Sequence, residues 1–325
     1  AFILVALGGY VRGTGAGLSC PDWPLCFGRA VPEQLFVGGV SQEVFHRYLA
    51  SILSLVVMVT AVKCFCARKR LPGLFRLSIY LPVLILLQVV LGGLTVLMTL
   101  NPLIVTAHLA LGTILLQLLS LLASERGNSS KWSVLRSSTA ANQPAISSPD
   151  ILKKAARLKK VVVVLAAAVF LQIVLGGFMA SSGASLACPD VPLCNGQLFP
   201  KGGGGAQHVH FTHRMLGVIV FVLSIVMIGI AVPLSKKIGA KCGHLFGVMT
   251  MILLQICLGF TIVYFQIPVS LAVLHLVLAQ MILAGVLIFA RHFFKSLSFF
   301  LPPASLQPSE DDIPTGSHSF VRGNA

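Results

Sequence analysis

The sequence predicts an all-α integral membrane protein. Eight transmembrane helices are expected, arranged as two four-helix bundles related by a pseudo-twofold axis, with helix 1 truncated at its N-terminus. Three observations carry that expectation. The chain is 56% hydrophobic and only 10% charged, where a soluble domain carries about 25% charged residues. Apolar runs of roughly 20 residues, the length that crosses a bilayer core as a helix, stand near 43–62, 77–98, 103–123, 161–180, 208–232, 244–265 and 268–290. Residues 1–9 read as the end of an eighth, and they lack the basic stretch that opens a signal peptide. The third observation is an internal repeat.

The repeat is legible along the whole chain. Leu18-Ser19-Cys20-Pro21-Asp22-Trp23-Pro24-Leu25-Cys26 matches Leu186-Ala187-Cys188-Pro189-Asp190-Val191-Pro192-Leu193-Cys194. His46-Arg47 matches His213-Arg214, and His108-Leu109 matches His275-Leu276. Leu7-Gly8-Gly9, Leu91-Gly92-Gly93, Leu175-Gly176-Gly177 and Leu258-Gly259 mark the helices that lead into the outer loops. One four-helix unit has been duplicated. An even number of spans per unit makes the repeat parallel, with its axis along the membrane normal.

The expected organisation follows. Residues 1–123 form the N-terminal bundle, 124–160 a cytoplasmic linker, 161–291 the C-terminal bundle and 292–325 a disordered cytoplasmic tail. Ser124 to Asp150 is rich in Ser, Asn and Ala and shows no apolar period, which reads as flexible linker. Prolines and the acidic run Glu310-Asp311-Asp312 mark the tail. The net charge of +15 is segregated. Basic residues crowd the loops after residue 62 and after residue 123, whereas the opposite side holds Arg12, Arg29, Arg47, Lys201 and Arg214. This positive-inside pattern puts the linker and C-terminus in the cytoplasm of a plasma-membrane protein and the cysteine loops outside. It also accounts for the charge without nucleic acid as a partner.

Each outer loop carries two cysteines with five residues between them, Cys20 and Cys26, then Cys188 and Cys194. On an oxidising face the expected result is one disulfide ring per half. It is either a staple over the helix ends or a dithiol that exchanges with an external partner. Cys64, Cys66, Cys242 and Cys257 are expected to be free thiols.

Ionisable side chains within spans are rare and mark sites. His46 and His108 lie within one to two turns of the outer helix ends, on spans that run in the same direction, and His213 and His275 repeat the arrangement. Two facing imidazoles in a four-helix bundle can hold haem iron axially; the bland alternative is a hydrogen bond between helices. Arg47 and Arg214 are either snorkelling cations or partners of haem propionates. Glu43, three residues before His46, shares its face. It can hold a proton or stabilise charge at a reacting carbon, or merely complement the helix dipole. The second half has His210 there, so chemistry is expected at the first pair. His208 and His210 are read as interfacial, and His244, His292 and His318 receive no role. Gln88, Gln172 and Gln255 read as helix-packing residues with an interhelical hydrogen bond.

Taken together, Glu43-X-X-His46-Arg47, His108, His213-Arg214, His275 and the paired Cys-Pro-Asp loops resemble haem A synthase over roughly residues 5–290. The resemblance implies a membrane oxidoreductase that converts the C8 methyl of haem O to a formyl group by successive hydroxylations, giving haem A for cytochrome oxidase. It implies that His46 and His108 hold the substrate haem, that His213 and His275 hold a haem b cofactor, and that Glu43 is the essential carboxylate. Cys20–Cys26 and Cys188–Cys194 would be the disulfides of the family's disulfide-bearing branch. The partners expected are haem O, the haem O synthase (a farnesyltransferase), an electron-transfer partner, membrane lipid and a second copy of the chain. Two other functions fit parts of the pattern. A non-catalytic di-haem electron carrier needs the four histidines but not Glu43. A thiol–quinone oxidoreductase needs the cysteines but no haem.

Overall fold

The computed structural model describes residues 1–142, 148–197, 199–238 and 243–300. Nine α-helices are found among them: α1 (Phe2–Gly13), α2 (Val40–Cys66), α3 (Pro72–Ser78), α4 (Leu81–Leu97), α5 (Pro102–Asn142), α6 (Pro149–Ser181), α7 (Gly205–Ile238), α8 (His244–Tyr264) and α9 (Val269–Phe300). Seven stretches are long and apolar enough to cross a membrane, with α3 and α4 together supplying one; α1 is a shorter apolar helix. Their outward faces expose large aliphatic side chains such as Ile52, Leu55, Leu86, Val163 and Val218. Bands of that kind suit lipid contact, because a helix satisfies its own backbone and needs no water. The chain is a multi-pass membrane protein.

Local signals set the helix ends. Gly38 and Gly39 both have positive φ (54° and 88°) just before α2. A Cβ on Gly39 would lie 2.9 Å from that of Ala16, so this turn requires glycine twice over. Thr99-Leu100 after α4 and Gln266-Ile267 after α8 turn the chain through four further positive-φ residues (47°, 57°, 57° and 63°). Pro102 and Pro268 then stand where the next helix begins, a position that suits proline's fixed φ and missing N–H.

Helix α4 packs on α2 and α5, α1 on α2, α6 on α7 and α8 on α9; α5 and α9 meet at the centre, with α1 against α9 and α6 against α5. Leu158, Leu165, Met227, Leu245, Val286 and Phe289 anchor a large core in α6–α9. The core of α2–α5 is smaller, built on Val57, Ala61, Leu81, Ile85, Leu115 and Leu122. At the central seam Gln117 Nε2 donates to Gln280 Oε1 (3.1 Å), and Gln280 Nε2 donates to Thr113 Oγ1 (2.8 Å). At one end of the bundle Glu125 accepts from Arg291 Nε (2.6 Å) and Lys295 Nζ (2.9 Å).

Helical structure extends past two expected boundaries. Helix α5 runs on to Asn142 and α6 starts at Pro149, so much of the expected linker 124–160 is helical. Extending an established helix fixes one residue per hydrogen bond, so a segment without apolar period can still continue one. Likewise α9 reaches Phe300, so 292–300 are helix rather than disordered tail. Residues 143–147, Cys242, 301–325 and with them His318 lie outside the described residues. Cys64, Cys66 and Cys257 are free thiols.

Candidate functional site

Both cysteine loops fold alike. Cys20–Cys26 and Cys188–Cys194 are disulfide-bonded. Within the first ring Asp22 accepts from the backbone N–H of Phe27 (2.6 Å) and Gly28 (2.7 Å); Asp190 accepts from Asn195 and Gly196 at the same distances. These backbone donors, Gly28 for Asp22 and Gly196 for Asp190 above all, hold both carboxyls below the ordinary carboxylate range.

The loops are tied down onto α2 and α7 by the residues around His46 and His213. Arg47 Nη1 donates to the carbonyls of Asp22 (2.9 Å) and Leu25 (2.5 Å), and Arg47 Nη2 to Glu43 Oε1 (2.6 Å). Arg214 Nη1 donates to the carbonyls of Asp190 (2.8 Å) and Leu193 (2.6 Å), and its Nη2 to that of Cys188 (2.6 Å). Beside the two expected readings of these arginines, snorkelling or haem propionate, these contacts give them a loop-binding role. The planar fork binds the carbonyls of a loop that folds back over its own helix.

Glu43 is buried, 4% exposed. Its Oε2 accepts from Cys20 N–H (3.0 Å) while Oε1 receives Arg47. His210 is also buried, at 2%, and its Nδ1 accepts from Cys188 N–H (3.4 Å). The reading of His210 as interfacial is thus corrected: it fills the place of Glu43 beneath the second loop. His208 is exposed, with Nδ1 3.0 Å from the Gly204 carbonyl.

The four repeated histidines share one setting. A Cβ on Gly8 would lie 3.1 Å from His46 Cε1, on Gly92 3.1 Å from His108 Cε1, on Gly176 2.9 Å from His213 Cε1, and on Gly259 3.2 Å from His275 Cε1. Each ring therefore rests in a cradle that only glycine leaves open. His46 and His108 are close enough to interact electrostatically, as are His213 and His275. The Nδ1 atoms of all four are buried without a hydrogen-bond partner. Packing alone gives no reason to bury four such groups, each unmet one costing about 1–3 kcal/mol. Paired imidazoles, each held edge-on by glycine, fit a haem with two axial nitrogen ligands.

The glutamines are the residues that sequence reasoning undervalued. Gln88 Nε2 donates to the His108 carbonyl (3.1 Å) and lies 3.3 Å from His108 Nε2; Gln172 does the same at His213 (2.9 and 3.3 Å). Gln255 donates to the His275 carbonyl (3.0 Å). They do bond between helices, but their targets are the candidate ligands. The available signal was spacing: each glutamine stands four residues before a cradle glycine.

The halves diverge once more beside the loops. Trp23 lies against Gly93, where a Cβ would come within 2.8 Å of the indole. The second half has Val191 and Phe260 at these places. They line an open cavity of about 450 Å³ with Pro189, Asp190, Thr261, Tyr264 and Phe265.

Fold and site together define a multi-pass α-helical membrane protein with paired, glycine-cradled histidines beneath disulfide-closed loops. Over residues 1–35 and 40–287 the chain matches the family described as cytochrome oxidase assembly protein, and it belongs to that family. Among its relatives is the haem A synthase of Shewanella oneidensis, 28% identical over 314 residues, covering 84% of this chain and 87% of that one. The haem A synthase of Alkalihalophilus pseudofirmus is 27% identical over 290 residues, covering 87% and 90%. That of Halalkalibacterium halodurans is 28% identical over 228 residues, covering 69% and 70%.

Proposed function

We propose that this chain is a haem A synthase, a membrane oxidoreductase that carries the C8 methyl of haem O to a formyl group for cytochrome oxidase. Family membership and the printed names of its relatives support the activity. The four histidines and Glu43 supply the candidate machinery. His46 and His108 hold the substrate haem in the N-terminal half, 1–123; His213 and His275 hold haem b in the C-terminal half, 161–291. Eight spans in two parallel-repeat bundles, with the disulfide loops on the outer face of the plasma membrane, complete the reading.

When bound, the haems supply the redox chemistry, which side chains cannot. The chain's own residues hold and orient. Glycine cradles fix the imidazole edges, and the loops close over the outer ends of the ligand-bearing helices. Glu43 places a carboxylate one helical turn outward from His46, able to take or return a proton beside the reacting methyl. Membrane exposure of the helix faces suits a substrate with a farnesyl tail.

The observation that carries the assignment is a buried carboxylate beside one histidine pair and an imidazole in its place beside the other. An electron carrier has no use for that difference. The test is expression with a haem O source, followed by chromatography of the extracted haems. Haem A or hydroxylated haem O beside haem b is the expected result. Haem b alone would mean a carrier, and no haem would leave the thiol reading.

A further inference from the structure

We propose that the first cysteine loop is seated in the lipid leaflet on its side of the membrane, with Phe27, Val31, Phe36 and Val37 as its lipid contacts. The inference needs only the membrane fold and stands apart from the haem reading.

These four side chains face away from the protein. Phe27 is 45% exposed, Val31 61%, Phe36 90% and Val37 64%. A single exposed apolar residue is ordinary on a protein surface, but a row of them along one loop marks a contact surface. The repeat shows that the loop does not need them in order to fold. The second loop closes the same disulfide ring and the same aspartate-held turn with Asn195 in the place of Phe27. Where the first loop has Phe36 and Val37, the second has the glycines of Gly202 to Gly205. Phe27 is the clearest case. Its φ is 54° and that of Asn195 is 53°. Asparagine tolerates this left-handed conformation, whereas a bulky aromatic is disfavoured there. Neither backbone geometry nor packing within the chain calls for a phenylalanine at that turn.

The height of the loop follows from what holds it. Tyr48 Oη donates to the Ala30 carbonyl (2.5 Å), and Arg47 Nη1 to that of Leu25. The loop therefore descends beside the first turns of α2. Tyr48 lies about 12 Å along the axis from the start of α2 at Val40. After Arg47 the next charged residue is Lys63. Counting back from it by about 20 residues, the length that crosses a bilayer core, reaches Val44. Tyr48 and the loop carbonyl it holds thus lie at the edge of the hydrocarbon, where tyrosine is favoured. The second half has Met215 at this place, which has no hydroxyl to donate.

The loop's apolar row also continues a lipid-facing surface. On α2 the exposed residues Phe45, Tyr48, Ile52, Leu55 and Val59 follow one another at spacings of three and four, along one helix face. Val31 follows Ala30 at the end of that face. The charged residues within the row, Arg29 and Glu33, pair with each other. Such a surface suits a leaflet, with acyl chains beside the apolar side chains and headgroups beside the ion pair. A docked protein would have to cover the stripe on α2 as well. The same loop carries Cys20, whose N–H is received by Glu43. The bilayer would thereby help to set the cover over that carboxylate.

Photocrosslinking of the full chain in phosphatidylcholine vesicles tests this. The benzophenone of Phe36→p-benzoylphenylalanine inserts into neighbouring C–H bonds on illumination. Gly204→p-benzoylphenylalanine is the control, at a position where an added Cβ meets nothing within 4 Å. The expected result is a mass increase of one phosphatidylcholine in the Phe36 variant and none in the Gly204 variant. Absence of a lipid adduct at position 36, equal lipid labelling at both positions, or crosslinks between two chains in place of lipid would each overturn the proposal. If the Phe36 variant does not accumulate, Val37→p-benzoylphenylalanine decides by the same outcomes.

Discussion

Beneath the first cysteine loop the Cys20 amide is received by a carboxylate, Glu43; beneath the second, the Cys188 amide is received by an imidazole, His210. The surrounding frame hardly differs. Both loops are disulfide-closed, both hold an aspartate on two backbone N–H groups, and both are gripped by an arginine at matching carbonyls. The same anchoring task is thus done by two side chains of different chemistry. Anchoring therefore does not explain the carboxylate, because an imidazole nitrogen accepts that amide too. The surplus property of Glu43 is its exchangeable proton and negative charge. Beyond the loops, the second half has the larger core, and glutamines bond the carbonyls of both its repeated histidines, where the first half has one such bond, at His108.

Substitutions can break or sharpen this contrast. The largest effect is expected from Glu43→Gln. The amide oxygen can still accept the Cys20 N–H, so haem should stay bound, yet haem A formation should fall by about 10²–10⁴-fold. His210→Gln should leave product formation within about threefold. Chromatography of extracted haems reads both, and full activity in Glu43→Gln would remove the catalytic distinction between the halves.

Next come the ligands. His213→Ala should strip haem b from the protein, and His108→Ala should strip the substrate site alone; a pyridine haemochrome assay should show haem content about halved in each case. Loss of both haems from either variant would mean that the halves do not load independently.

The arginines should differ by less. Arg214→Met releases three loop carbonyls and is expected to destabilise by about 2 kcal/mol. Arg47→Met also leaves Glu43 buried beside no cation and should cost about 3 kcal/mol. Thermal unfolding in detergent would order the two, and equal losses would mean that the Arg47–Glu43 pair adds nothing.

The smallest effect concerns acid. Asp22 and Asp190 have carboxyls held below their ordinary value by backbone donors. The stabilisation is present above the unfolded value of about 3.9 and fades as pH falls through the lower folded value. Exchange of the Gly28 and Gly196 amides should quicken together below about pH 4, and Asp22→Asn or Asp190→Asn should abolish this in its own loop only. Here the two halves are expected to behave alike.

Much of this was legible along the chain. Apolar length places the spans, since a bilayer demands runs that no soluble core requires, and a fixed offset pairs His46 with His213 and Glu43 with His210. Helix within the linker was not legible, because Ser- and Asn-rich sequence carries no apolar period, while helix propagation needs none. Composition and spacing thus determined that the protein spans a membrane, which side chains recur, and where the halves differ in chemistry. What Arg47, Arg214 and His210 touch, and the seating of each glutamine amide on a histidine, only the tertiary structure decided. Those partners lie on other helices or across a loop, about 20–40 residues away, and their meeting depends on where glycine lets two backbones close to hydrogen-bond distance.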